Sequence, residues 1–133
     1  MLYNSHGEMA LQVRSATDYR YPSRYDFAAG GHMDDGESPE KAAQRELKEE
    51  LGIEAPLEFV TAWHHPGGSD PDDEADDLTL FKTVYDGSFT PDPKEVDRVE
   101  FFTPEQVTRL LAISPEKFHP ELLYFFAHHA DKL

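Results

Sequence analysis

Gly31–Ile53 reads G-H-M-D-D-G-E-S-P-E-K-A-A-Q-R-E-L-K-E-E-L-G-I, and the fold turns on this stretch. Ser38-Pro39-Glu40 is a helix start: Ser caps, Pro suits the first helical position, and Glu complements the positive end of the dipole. Gly52 is a natural stop, so the spacing predicts a helix over Pro39–Leu51. Within it Glu46, Glu49 and Glu50 fall at i, i+3 and i+4, about one turn apart on one face. Ala43, Leu47 and Leu51 form a second stripe that can pack on a sheet. Like charges at this spacing cost a few tenths of a kcal/mol per pair, roughly, and no lysine separates the three glutamates on that face. A solvated acidic face is one reading. A divalent cation with oxygen ligands is the other, since Mg²⁺ takes one or two protein carboxylates together with waters and substrate phosphates.

Outward from the helix, Glu8–Arg14 alternates, with Met9, Leu11 and Val13 on one face, and reads as a strand. Asn4-Ser5-His6-Gly7 is a turn, which makes Met1–Tyr3 the end of a partner strand. Phe27–Gly31 reads as a short strand of small residues. Beyond the helix, Leu57–His65 reads as a strand carrying Phe59 and Trp63, and Pro66–Asp77 as a polar loop. Leu78–Tyr85 is a strand with Leu78, Leu80 and Val84 alternating. Val96–Phe102 is another. Thr103-Pro104-Glu105 starts a second helix and Pro120–His129 forms a third. This order has no regular βαβ alternation and predicts an α+β fold, a mixed sheet with helices packed on it, in one domain over residues 1–133.

Composition narrows the function. The 133 residues carry 12 Lys+Arg against 27 Asp+Glu, a formal net charge of -15. Such a surface repels nucleic acid and anionic membranes. The absence of cysteine removes disulfides, thiolate zinc sites and thiol nucleophiles. No apolar run suits a signal peptide or a membrane span, so the expected location is the cytoplasm. Acids cluster at Asp34–Glu50 and at Asp70–Asp77, and hard divalent cations are one reason for such clustering.

Nine residues stand in fixed register: Gly31, Glu37, Arg45, Glu46, Leu47, Glu49, Glu50, Gly52 and Ile53. This pattern resembles the signature of the Nudix hydrolases, and the strand order resembles that family across most of the chain. The resemblance implies an α/β/α sandwich with a mixed β-sheet flanked by helices, in which the motif forms a loop, a helix and a loop. It implies Mg²⁺ or Mn²⁺ as cofactor, and hydrolysis of a small-molecule diphosphate linked to some group X. Glu46, Glu49 and Glu50 are then the metal ligands. Glu49, Glu50 or a loop carboxylate would orient or deprotonate the attacking water; Glu95 is the loop candidate, and a role in fixing its loop fits it equally well. Glu37 and Arg45 would pair to hold the loop on the helix, Gly31 and Gly52 would serve backbone geometry, and Leu47 and Ile53 the core. Electrostatics agree, because a chain at -15 attracts a diphosphate only with cations between them.

Tyr25–Ser38 looks like the isopentenyl-diphosphate isomerase branch of that family, where a Gly-His pair precedes the same Glu. Those isomerases carry a catalytic Cys just before the pair; here Gly30 stands there, which points to a related hydrolase. His32 matches a metal ligand of the isomerases and reads equally well as a loop histidine bonded to backbone. Arg14 matches a residue that contacts substrate phosphates in related proteins, and Arg24 is a second candidate. Surface pairing with the excess acids is the alternative for both. Glu74, Asp76 and Asp77 are the residues of the acidic loop best placed to add a ligand, although loop charges are usually just solvated. Trp63, Phe59, Phe81, Phe101 and Phe102 read mainly as core. A binding module without turnover, or an enzyme acting on isoprenoid diphosphates, are the competing functions. Retention of every motif carboxylate favours the hydrolase. The first strand has fewer residues ahead of it than the family usually shows, so either the start is truncated or that sheet edge is short, and a homodimer could cover an unfinished edge.

Overall fold

A computed structural model describes residues 1–133. Six strands form one mixed sheet: β1 (Leu2–Tyr3), β2 (Met9–Arg14), β3 (Tyr25–Asp26), β4 (Glu58–His65), β5 (Asp76–Val84) and β6 (Val96–Phe102). Three α-helices accompany it: α1 (Pro39–Leu51), α2 (Pro104–Ile113) and α3 (Pro120–His128). Proline stands in the first turn of each, where its missing N–H costs no hydrogen bond. Ser38 caps α1 by accepting from Lys41 N, and Gly52 ends it in the left-handed region. Thr103 and Gln106 complete a reciprocal capping box on α2.

β2 is the organising strand. On one side it pairs antiparallel with β6 along its whole length. On the other its residues 9 and 10 meet β1 and its residues 12 and 13 meet β3. β1 also runs parallel to β5 through Leu2↔Thr83 and Tyr3↔Val84. Met1–Tyr3 is thus a partner strand, as the turn after it predicts, and it bridges two halves of the sheet. Beyond β1 the sheet divides, because β3 has no ladder to β5.

The strand alternation sends side chains to two cores. Leu2, Ala10, Ala28, Leu47, Leu51, Ile53 and Val96 form one, beneath α1. Met1, Met9, Leu11, Trp63, Leu80, Val107, Phe118, Leu122 and Phe125 form the other, beneath α2 and α3. This is the expected α/β/α arrangement. Each fully buried Leu or Phe contributes roughly 1.5–3 kcal/mol.

Four expectations need correction. Phe27–Gly31 is not a strand: pairing stops at Asp26, and Ala28 leaves the sheet to pack with Leu47 and Leu51 of α1. Its small side chains permit that close approach, which is what their run signified. The apolar stripe of α1 is Ala42, Leu47 and Leu51, with Ala43 only half-buried. Phe59 is not core but exposed, meeting Phe81 edge-on at 6.1 Å between ring centres. Val84 is exposed, and Thr83 is the buried residue at the end of β5.

Candidate metal centre and active site

The motif helix delivers its glutamates unequally. Glu46 and Glu50 are buried, 9% and 5% exposed, and belong to the sheet-facing side of α1. Glu49 lies outside and is exposed. The trio is therefore split. The third carboxylate of the cluster is Glu95, on the loop before β6, and one oxygen from each of Glu46, Glu50 and Glu95 lies within 4.8 Å of the others.

That loop is placed by the helix itself. The last carbonyls of an α-helix lack internal partners. Here Asp92 N donates to Glu50 O at 2.9 Å and Thr90 N donates to Leu51 O at 2.9 Å. Segment 90–95 thereby docks on the end of α1, and Glu95 follows. Gly52 is required at this contact, since a Cβ there would lie 2.9 Å from Thr90 Cβ.

Arg45 is the hub of the motif. Its Nε and Nη2 donate to the two oxygens of Glu37 at 2.8 and 2.9 Å, a bidentate pair. Nη1 donates to Glu46 Oε1 at 2.7 Å and to Glu49 Oε2 at 3.2 Å. Nη2 also donates to His32 O at 2.9 Å. The guanidinium holds the Glu37 carboxyl below the usual range, and Glu37 in turn accepts from Asp34 N at 2.8 Å. Arg45 thus ties the loop to the helix through Glu37 and reaches Glu46 and Glu49 as well.

Burial raises both inner glutamates above the ordinary carboxylate range. For Glu46 the Arg45 guanidinium opposes the shift while Glu49 and Glu95 add to it. For Glu50 desolvation dominates; Gln12 and Gly30 oppose it, and Glu46 and Glu95 reinforce it. Three mutually repelling carboxylates, two of them dry, make a donor set that suits a hard divalent cation with oxygen ligands.

Other expected residues lie elsewhere. His32 is 88% exposed, with Nδ1 3.8 Å from Asp76 Oδ2 and its carbonyl engaged by Arg45. Arg14 is committed: Nη1 donates to Asp26 and Nη2 to Asp18, each at 2.9 Å, and Nε to Arg20 O at 3.2 Å. Arg24 lies over the Tyr21 ring at 5.1 Å and makes no ion pair. Glu74 of the acidic loop pairs with Arg20, and Asp77, which lies in β5 and not in the loop, pairs with His64 across the β4–β5 ladder. Tyr21 Oη donates to Asp70 at 2.9 Å, so residues 15–24 and 66–75 are stapled to each other. His65 is buried on Asp73, Nε2 to Oδ1 at 2.6 Å, while His64 is exposed.

Gln12 escaped the sequence reading. In M-A-L-Q-V-R it reads as the solvent face of an alternating strand, yet α1 covers that face and Gln12 donates to Glu50 Oε1 at 3.0 Å. A glutamine flanked by apolar residues in a central strand is the only hint the chain offers.

The comparisons with known proteins follow the same lines. The NUDIX domain family model matches residues 1–126. An isopentenyl-diphosphate Delta-isomerase from Nocardia farcinica is 32% identical over 125 residues, covering 92% of this chain and 71% of the relative. An uncharacterised Nudix hydrolase from Pseudomonas aeruginosa is 32% identical over 130 residues, covering 96% and 75%. The crystal structure of DR0079 from Deinococcus radiodurans superposes with a TM-score of 0.80 at 22% identity, covering 97% of this chain and 78% of that one. No helix is long and apolar enough to cross a membrane. With the family model spanning nearly all of its length, the chain belongs to the Nudix family and is a hydrolase of diphosphate (pyrophosphate) bonds.

Proposed function

We propose that the chain hydrolyses the diphosphate linkage of a nucleoside diphosphate joined to a moiety X, or of a related organic diphosphate, with Mg²⁺ or Mn²⁺ bound by Glu46, Glu50 and Glu95. The observation that carries this is the convergence of three carboxylate oxygens within 4.8 Å, two of them from buried side chains. Glu49, on the outer side of α1 beside Arg45, adds a ligand or acts on water from the solvent side. A divalent cation held there would neutralise phosphate charge and favour ionisation of water.

Within this reading the residues divide the labour. Glu46 and Glu50 are fixed donors, held by Arg45 and by Gln12 with Gly30. Glu95 is exposed and reaches the cluster with one oxygen from its own loop, so its other carboxylate oxygen would accept the proton of the attacking water. Water forms a new P–O bond, the bridging P–O bond breaks, and the electron pair leaves with the departing phosphate oxygen. Positioning supplies much of the rate, as expected for phosphoryl transfer. Arg24, free of carboxylates, is the candidate for substrate phosphate. Residues 15–24, 66–75 and 86–94 would select X.

A second reading follows from the Nocardia relative, whose name is isopentenyl-diphosphate Delta-isomerase: an isoprenoid diphosphate as substrate. The chain has Gly30 where the isomerases carry their Cys, so hydrolysis is the reading retained. A panel of nucleoside triphosphates, nucleotide sugars, dinucleotides, cofactors and isoprenoid diphosphates tests both, scored by phosphate and pyrophosphate release with Mg²⁺, Mn²⁺ or EDTA. Metal-dependent release abolished by Glu50→Gln is expected. Silence across the panel, with ligands still raising the melting temperature, would favour a binding module.

A further inference from the structure

Gln12 is the one buried polar side chain of β2, 5% exposed. Its backbone is fixed from both sides, opposite Val99 in β6 and Asp26 in β3. The carboxamide nitrogen donates twice, to Ala28 O and to Glu50 Oε1, each at 3.0 Å. Ala28 O can only accept. It therefore fixes which end of the amide points inward: the NH₂ group, never the carbonyl.

Gly30 N donates to the same Glu50 oxygen at 3.1 Å. Oε1 thus holds two neutral donors, while no N–H of the protein donates to Oε2 and the Glu95 carboxyl lies within hydrogen-bonding reach of the Glu50 carboxyl. Glu50 meanwhile shares a 4.8 Å cluster with Glu46 and Glu95.

We propose that Gln12 is a positioning residue for the metal centre: it dedicates Oε1 of Glu50 to the protein and presents Oε2 to the cation. The inference rests on the reading that Glu46, Glu50 and Glu95 hold the ion. A neutral donor is what the place requires. Lysine or arginine would pair with Glu50 and compete with the ion. Glutamate would repel Glu50 and leave Ala28 O without a donor. An apolar side chain would strand Ala28 O and leave Glu50 Oε1 with Gly30 N alone. The partners of a metal-binding carboxylate set its orientation, and losing one typically costs about 10–100-fold in affinity.

The test uses Mn²⁺ alone as probe, titrated into the metal-free protein and followed by the electron paramagnetic resonance of free Mn²⁺. Gln12→Met keeps the length and loses the donors. It is expected to retain a cooperative melt and native circular dichroism, to bind Mn²⁺ about 10–100-fold more weakly, and to lower kcat with KM unchanged. Gln12→Glu is expected to weaken binding as well. A folded Gln12→Met that binds Mn²⁺ like wild type overturns the proposal. A second measurement needs only the wild-type protein: the Gln12 side-chain amide resonances should shift with Mg²⁺ at the same midpoint as metal binding. Amide resonances unmoved at Mg²⁺ saturation also overturn it. Absence of Mn²⁺ binding by wild type would instead sink the metal reading itself, an outcome distinct from wild-type binding that Gln12→Met leaves intact.

Discussion

A Cβ placed on Gly31 would lie 2.6 Å from the carboxyl carbon of Glu46. Real Cβ atoms do not come that close, so the glycine of the loop and the first glutamate of the cluster are one steric unit. Gly31→Ala must push the Glu46 carboxylate away from Glu50 and Glu95. The expected result is a fall of about 10–100-fold in Mn²⁺ affinity and in turnover. Little should change in the thermal melt, because the displaced group is not part of the apolar core. Unchanged Mn²⁺ titration and kinetics would show that Glu46 relaxes without cost.

Glu50→Gln should move stability and activity in opposite directions. The substitution removes a buried carboxyl whose ionisation is penalised by desolvation and by Glu46 and Glu95, and the new amide oxygen can still accept from Gln12 and Gly30. The metal-free variant should melt higher than wild type by several degrees, roughly 3–8 °C. Hydrolysis should fall by at least about a hundredfold, and Mg²⁺ should no longer raise the melting temperature. Calorimetry with and without Mg²⁺ checks both halves.

Much of this centre is legible in the sequence, and the illegible part has a physical cause. The bounds of α1 follow from local chemistry: Ser38 caps, Pro39 opens, Gly52 closes. Glu37, Arg45 and Glu46 are legible through fixed spacing. Glu95 is a candidate from its loop before a strand, whereas Gln12 acts from a different strand and only tertiary contacts bring it to Glu50. The face of β2 that carries Gln12 looks solvent-exposed because alternation records polarity, not what covers the sheet. Glu49 shows the converse: spacing gives its neighbours but not its burial. Helical spacing places it within a turn of Glu46 and Glu50, but the boundary between sheet and solvent runs between them.

Arg14 and Arg24 should respond differently to truncation. Arg14 bridges Asp18, Asp26 and the Arg20 carbonyl, so Arg14→Ala strands partly buried carboxylates. A loss of about 1–3 kcal/mol in stability is expected, visible in urea unfolding, with KM little altered. Arg24→Ala should instead leave unfolding near wild type and raise KM about tenfold, the cost of one charge-assisted phosphate contact. The reverse assignment of effects would return Arg14 to the substrate.

Glu121 governs a pH dependence. Burial, with Asp26, Asp76 and Asp73 nearby and Arg14 only partly compensating, pushes its carboxyl up to about 7. A carboxyl raised on folding releases its proton first from the unfolded chain. Below pH about 4.5 both states are protonated and nothing is lost. Between there and pH 7 stability falls, and above 7 the full penalty persists. Glu121→Gln should therefore stabilise the protein at pH 8 by about 1–2 kcal/mol, allowing for its partial exposure. It should have no effect near pH 4. Urea midpoints at the two pH values test this, and equal gains at both would refute the assignment to burial.

The hydrogen bonds from Asp92 and Thr90 to the last carbonyls of α1 divide the enzyme into two heritable parts. The segment bearing Glu95 travels with the motif helix, whereas residues 15–24 and 66–75 are fastened to each other through Tyr21 and Asp70. Mutation can remodel the second part, lengthening a loop or exchanging an aromatic, without retuning the register of the clustered carboxylates. A lineage built this way can exchange one leaving group for another in small steps and keep its chemistry throughout.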